Sequence, residues 1–238
     1  MSSGQKITAG KTALAKRSNE SGAQFGIRPG KISLNARIPQ GQARVTDFPV
    51  LDMGVRPAID TATWTLKMFG LVGNEMTLNW QQFKALPQTK IVADMHCVTR
   101  WSQLDMDWAG VLARDLIALA QPLVSAQFIT LHGHDGYTTN LPLNALLDDD
   151  VLIAHSVFNE SLSIEHGWPA RLVVPKRYAW KGAKWISAIE FHEEDRPVFG
   201  KCAAITMTLI LGRNSGLDIR KGWKRICSNA SKGAVFAA

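Results

Sequence analysis

The stretch ADMHCVTRWS, residues 93–102, decides how this chain is read. An apolar strand, KIVADMHCVT (90–99), runs into Cys97; Arg100 follows, and Trp101 and Trp108 lie just downstream. A thiolate is a strong, soft ligand for a transition metal, and a neighbouring cation lowers the pKa of its thiol. The same residues also describe a buried, inert cysteine. They describe equally a nucleophile served by His96, His132, His134 or His166 as base. Spacing alone leaves the three readings open.

Outward from that stretch the chain alternates strand and short helix. ATWTLKMFGLV (62–72) sets Trp64, Leu66 and Met68 against Thr63, Thr65 and Lys67, the period of a strand. A turn is expected at Asn74. LNWQQFKAL (78–86) places Leu78, Phe83 and Leu86 at helical spacing before Pro87. WAGVLARDLIALA (108–120) places Val111, Leu112, Leu116 and Leu119 along one helical face. AQFITLHG (126–133), ARLVVP (170–175) and AKWISAIEFHE (183–193) read as strands. HDGYTTN (134–140) reads as a turn, and LPLNALLDDDVLIAHSV (141–157) as a short helix followed by a strand. Pro and Gly punctuate residues 32–54, which read as an extended leading segment. Regular βαβ spacing is absent, so the fold class is α+β.

Composition narrows the function classes. The chain has 238 residues, 46% hydrophobic and 20% charged, the profile of a soluble globular protein with a sizeable core. Cys97, Cys202 and Cys227 are too few and too scattered for a disulfide framework or a zinc site. No run approaches the ~20 apolar residues that span a bilayer. Lys6, Lys11, Lys16 and Arg17 precede no apolar run, so no secretory signal and a cytoplasmic location are expected. The net charge of +7 invites a nucleic-acid reading, but its distribution argues against one. Residues 1–44 hold eight basic and one acidic residue, residues 200–238 seven and one, and residues 45–199 twelve and eighteen. The body is acidic, and the basic ends read as solvated termini.

A second feature is EHGWPARLVVPKRYAWKGAKW (165–185). Gly167 and Pro169 shape a loop, and Arg171, Lys176, Arg177, Lys181 and Lys184 put five cations within 14 residues. Such a cluster suits a phosphate or another anion, or is an ordinary solvated basic face. GYTTNLP (136–142) offers hydroxyl and amide groups, for which a structural turn is sufficient reason.

Taken in order, WTLKMFGLV (64–72), MTLNWQQFKALP (76–87), ADMHCVTRWS (93–102), WAGV (108–111), GYTTNLPL (136–143), HGWPARLVVPKRYAWKGAKW (166–185) and IEFHEEDRP (189–197) resemble the sulfite-oxidase-fold molybdopterin oxidoreductases. The similarity is to their short cytoplasmic branch and, more distantly, to the catalytic subunit of periplasmic methionine-sulfoxide reductase. The resemblance covers residues 33–199, with 1–32 a basic leader and 200–238 an atypical basic tail. It implies that Cys97 binds molybdenum beside two dithiolene sulfurs of the pterin. It places His166 and Arg171 against the cofactor, and Gly182, Ala183 and Lys184 around its phosphate and pterin end. His132 and Asn140 become cofactor-side candidates, as do Asn35 and Arg37 in the leading segment. Arg100 is a candidate for lowering the Cys97 pKa or orienting an anionic substrate. The implied reaction is two-electron oxygen-atom transfer on a small oxo substrate such as sulfite or a sulfoxide. The cofactor carries the redox chemistry. The haem-binding and dimerisation domains of full sulfite oxidases have no counterpart, so an external electron donor or acceptor is expected. A catalytically impaired cofactor binder and a Cys–His hydrolase are the alternatives.

After EEDRP (193–197) such relatives continue with a Phe-Trp pair and an RGYHN…DPW segment, which this chain lacks. Codons exist for residues 199–212 that, read from the third base of the Phe199 codon, give W-K-V-R-G-Y-H-N-D-A-D-P-W. A one-base deletion at Phe199 therefore accounts for the tail. It also implies lower stability, impaired cofactor loading and an aggregation-prone run at 203–211. Resequencing the gene is expected to show the motif in that neighbouring frame; a frame without it means a natural, divergent C-terminus.

Overall fold

Strands dominate because apolar residues recur mostly at every second position, so each strand has one face to bury. The computed structural model describes residues 37–52, 56–196 and 198. The leader 1–32, Asn35 and the tail 200–238 lie outside the described residues. Two sheets form. In the six-stranded sheet, β5 (Trp101–Leu112) carries β4 (Thr89–Cys97) along one edge. Its other edge takes β1 (Ala43–Arg44), parallel, at the start and β8 (Leu152–Val157), antiparallel, at the end. The short strands β9 (Glu160–Ser161) and β10 (Arg171–Val173) pair with β8. The five-stranded sheet runs β3 (Met76–Asn79), β2 (Thr65–Gly70), β11 (Ile186–His192), β6 (Phe128–Gly133), β7 (Thr138–Pro142). Only short helices accompany them, α1 (Trp80–Ala85) and α2 (Ala113–Ala120), which gives the expected α+β class. Among the described residues no helix is long and apolar enough to cross a membrane.

The two faces of the six-stranded sheet do different things. One face packs Val111, Ile153 and Leu172 against α2 and the inner residues Leu66, Met68, Ile129 and Phe191 of the other sheet. The opposite face carries a second cluster containing Met95, Cys97, Trp101, Trp108, Leu152, Ala154 and Val173. Side chains alternate along a strand, so Arg171 shares the face of Val173 and turns towards Cys97's cluster.

Two helices are shorter than their sequence patterns predict. Leu78 lies in β3, and α1 begins only at Trp80, where Asn79 and Gln82 form a reciprocal capping box. Val111 and Leu112 belong to β5, because the backbone around Gly110 is paired to β4 and β8 on both edges. Helix α2 therefore buries Leu116 and Ile117, while Leu119 is 40% exposed. Tertiary pairing has overridden local helical spacing.

At Gly110 β8 comes close to β5: a Cβ there would sit 2.1 Å from the Ile153 carbonyl oxygen. Gly110→Ala is expected to cost about 3 kcal/mol or more in denaturant unfolding. Gly136→Ala, with open space around it at φ +80°, should cost only about 1–2 kcal/mol. Equal small losses would contradict the close strand approach.

Candidate active site

Cys97 is the last residue of β4 and pairs with Trp101, leaving a loop of Val98, Thr99 and Arg100. The Arg100 N–H donates to the Cys97 carbonyl at 3.0 Å, and Arg100 itself has φ 70°. A turn ended by a left-handed residue is a common way to close a three-residue hairpin. A second clamp comes from the leading segment. Gln42 Nε2 donates to the Cys97 carbonyl at 3.2 Å, and Gln42 Oε1 accepts from Ser102 Oγ at 2.5 Å. Ser102 Oγ also meets His96 Nδ1 at 2.8 Å. The hairpin end is thus fixed from the turn and from the neighbouring chain.

The Cys97 side chain is buried, and burial pushes its thiol pKa up. Against that act the Thr99 hydroxyl, which donates to Sγ at 3.2 Å, the backbone N–H groups of Thr99 and Val98, and the charge of Arg171. Arg171 is 4% exposed, and burial draws its guanidinium down to about 10, with the Cys97 sulfur opposing that shift. Its Nη1 donates to the His166 carbonyl at 3.0 Å, and its guanidinium lies 5.7 Å from the Phe48 ring and 5.8 Å from Trp108. Among the described residues no carboxylate pairs with it.

His166 lies at the end of a 3-10 turn, Ile164–His166. Its Nδ1 meets Ser163 Oγ at 2.8 Å, its Nε2 meets the Phe48 carbonyl at 3.0 Å, and its ring stacks on Phe48 at 4.0 Å. Burial and the Arg171 charge hold it below the ordinary histidine pKa, although the Phe48 carbonyl opposes them. Gly167 has φ 106°, and a Cβ there would press on Arg171 and Lys184, so glycine lets these two cations approach. Gly182 passes so close to the Leu172 carbonyl that a Cβ would sit 2.5 Å from it, and Ala183 is fully buried beside it. Lys184 Nζ donates to the carbonyls of Leu51 and Glu165, and burial and Arg171 lower its pKa to about 8.

Four candidates lie elsewhere or are otherwise engaged. Arg100 is exposed on the hairpin turn; the buried cation facing Cys97 is Arg171. Arg37 spends its guanidinium on Asp94 and Asp105, which it clamps across a register shift between β4 and β5. His132 sits on β6 with Nε2 3.0 Å from Glu190 Oε2. Asn140 on β7 accepts from Lys181 Nζ and donates to Asp195 and the Arg196 carbonyl, fastening the chain after β11. Phe48, Gln42 and Thr99 were not singled out by sequence; only their place beside the cysteine hairpin reveals them. For the hydrolase alternative, His96, His132 and His166 bond to Ser102, Glu190, Ser163 and Phe48, while the side-chain hydrogen bond to Cys97 Sγ comes from Thr99.

The residues present fit a cofactor that brings its own metal ligands. Among the described residues no group of three or more His, Cys, Asp or Glu could hold a metal ion, so Cys97 would be one ligand among others. Trp101, Trp108 and Trp180 each bury an indole N–H, and Arg171 and Arg177 each bury an Nε, without a partner. Each such donor costs about 1–3 kcal/mol unless an acceptor meets it. A phosphate-bearing, oxygen-rich group supplies acceptors. Residues 53–199 match the family described as "Oxidoreductase molybdopterin binding domain", more than half of the chain. The chain belongs to this family. It is an oxidoreductase, and its cofactor is molybdopterin with molybdenum. It is 42% identical over 166 residues to the uncharacterized oxidoreductase YuiH of Bacillus subtilis (strain 168), covering 69% of this chain and 84% of that one. The sulfane dehydrogenase SoxCD of Paracoccus pantotrophus shares the fold, with a TM-score of 0.54 at 22% identity. That match covers 58% of this chain and 40% of the SoxCD chain.

Two predictions distinguish the cations of this molybdopterin oxidoreductase. Arg171→Met should reduce molybdenum content at least about tenfold, while Arg100→Gly, which relieves the left-handed strain, should load normally; metal analysis reads both, and the reverse pattern would contradict the assignment. Lys184, lowered to about 8, releases its proton in the folded state before the unfolded chain does. Stability of the cofactor-free protein should therefore rise with pH from about 8 to about 10.4. Denaturation across that range should show the rise lost in Lys184→Met; an unchanged slope would contradict a buried amine.

Proposed function

We propose that the protein catalyses two-electron oxygen-atom transfer on a small oxo substrate, with Cys97 as the protein's ligand to molybdenum. The observation that carries this reading is a buried thiol packed in one cluster with Trp101 and Trp108, whose indole N–H groups are unpartnered, beside a buried arginine that no carboxylate meets among the described residues. The bound cofactor supplies the redox couple and the oxygen-accepting metal. The β4–β5 hairpin holds the sulfur in place through Gln42 and the turn. Arg171 offsets negative charge, and Gly167 and Gly182 allow the backbone to close around it. Phe48 and the tryptophans exclude water from that side. Oxidation in this class balances as sulfite and water giving sulfate, two electrons and two protons; sulfoxide reduction consumes two electrons and two protons and yields sulfide and water. An external electron carrier takes or supplies the electrons, and a cytoplasmic location accompanies this reading.

The test is turnover by protein from a molybdenum-replete host, assayed with sulfite and with sulfoxides and an artificial electron carrier. One substrate should turn over, and Cys97→Ser should fall to background. Full molybdenum and pterin content without turnover would favour the impaired cofactor binder; turnover by metal-free protein would overturn the proposal.

A further inference from the structure

The turn after Cys97 does more than reverse the chain. Thr99 is exposed, with water available to its hydroxyl, yet Oγ1 donates to Cys97 Sγ at 3.2 Å. Val98, between them, is buried, which fixes the turn so that the residue after it reaches back to the sulfur. The Thr99 and Val98 N–H groups also favour the charged form of the same sulfur. The opening residue of the turn and its closing left-handed Arg100 are locked by the hydrogen bond from Arg100 N–H to the Cys97 carbonyl. A side-chain donor held on a fixed loop beside a ligating sulfur is an arrangement suited to tuning a metal, because hydrogen bonds to sulfur ligands help set reduction potential.

We propose that Thr99 is a positioning residue that sets the reduction potential of the molybdenum centre by donating a hydrogen bond to the Cys97 sulfur. This rests on Cys97 being the metal ligand. A donated hydrogen bond withdraws electron density from the sulfur, so the sulfur stabilises the oxidised metal less and the potential is higher. Removing the donor lowers the potential. Thr99 takes no part in oxygen transfer itself, and it is exposed on the hairpin turn.

The test uses the loaded full-length protein and three variants: Thr99→Val, which keeps the shape and loses the hydroxyl, Thr99→Ala, and Thr99→Ser, which keeps the hydroxyl. Molybdenum content, the sulfur-to-metal charge-transfer absorption and the potential by redox titration are read for each. In Thr99→Val and Thr99→Ala the one-electron equilibrium should shift about tenfold towards the oxidised metal, a fall of ~59 mV, with the absorption band displaced. Thr99→Ser should restore the wild-type values. Loaded variants with an unchanged potential and band overturn this inference alone. A serine variant that behaves like valine also overturns it, since packing and not the hydroxyl would then be responsible. Molybdenum bound with the same sulfur shell in wild-type protein and in Cys97→Ser overturns the ligand assignment, and the inference with it.

Discussion

A guanidinium buried without a carboxylate is the constraint on which this site depends. Arg171 is held by carbonyls and aromatic rings, and its Nε has no partner. Taking such a charge out of water is costly unless an anion meets it. The Cys97 sulfur lies close enough to act on it electrostatically. Much else can be understood as holding these two together: a long β5 paired on both edges, a hairpin pinned by Gln42, and glycines where side chains would keep the cations apart.

The fold separates support from chemistry by using opposite faces of one sheet. The face against α2 and the five-stranded sheet is apolar and closed. The face bearing Cys97 mixes tryptophan, tyrosine and arginine, residues that combine apolar bulk with donors. That division lets a well-packed core tolerate unsatisfied donors at a functional site, where a ligand meets them.

Much of this was legible in the sequence. Alternation at Trp64, Leu66 and Met68 marks β2, and the order of motifs points to the family. The misjudged pieces share one cause. Val111 and Leu112 carry helical spacing but lie in a strand because β8 pairs with their backbone, a long-range effect that no local window contains. At the site, the cysteine, His166 and Arg171 stood out by type and motif. Arg100 stood out by adjacency, yet a strand end and a turn send neighbours in different directions, and the cation near the sulfur comes from β10. Phe48 and Gln42 carry no signal, since an aromatic ring or an amide in an extended segment becomes informative only once its partner across the sheet is known.

The central claim is that one sulfur on the molybdenum belongs to the chain. X-ray absorption at the molybdenum edge counts sulfur neighbours directly. Wild-type protein should show one sulfur more than the pterin dithiolene provides, and Cys97→Ser should lack it or fail to hold the metal. Full loading with the same sulfur shell in both proteins would contradict the account.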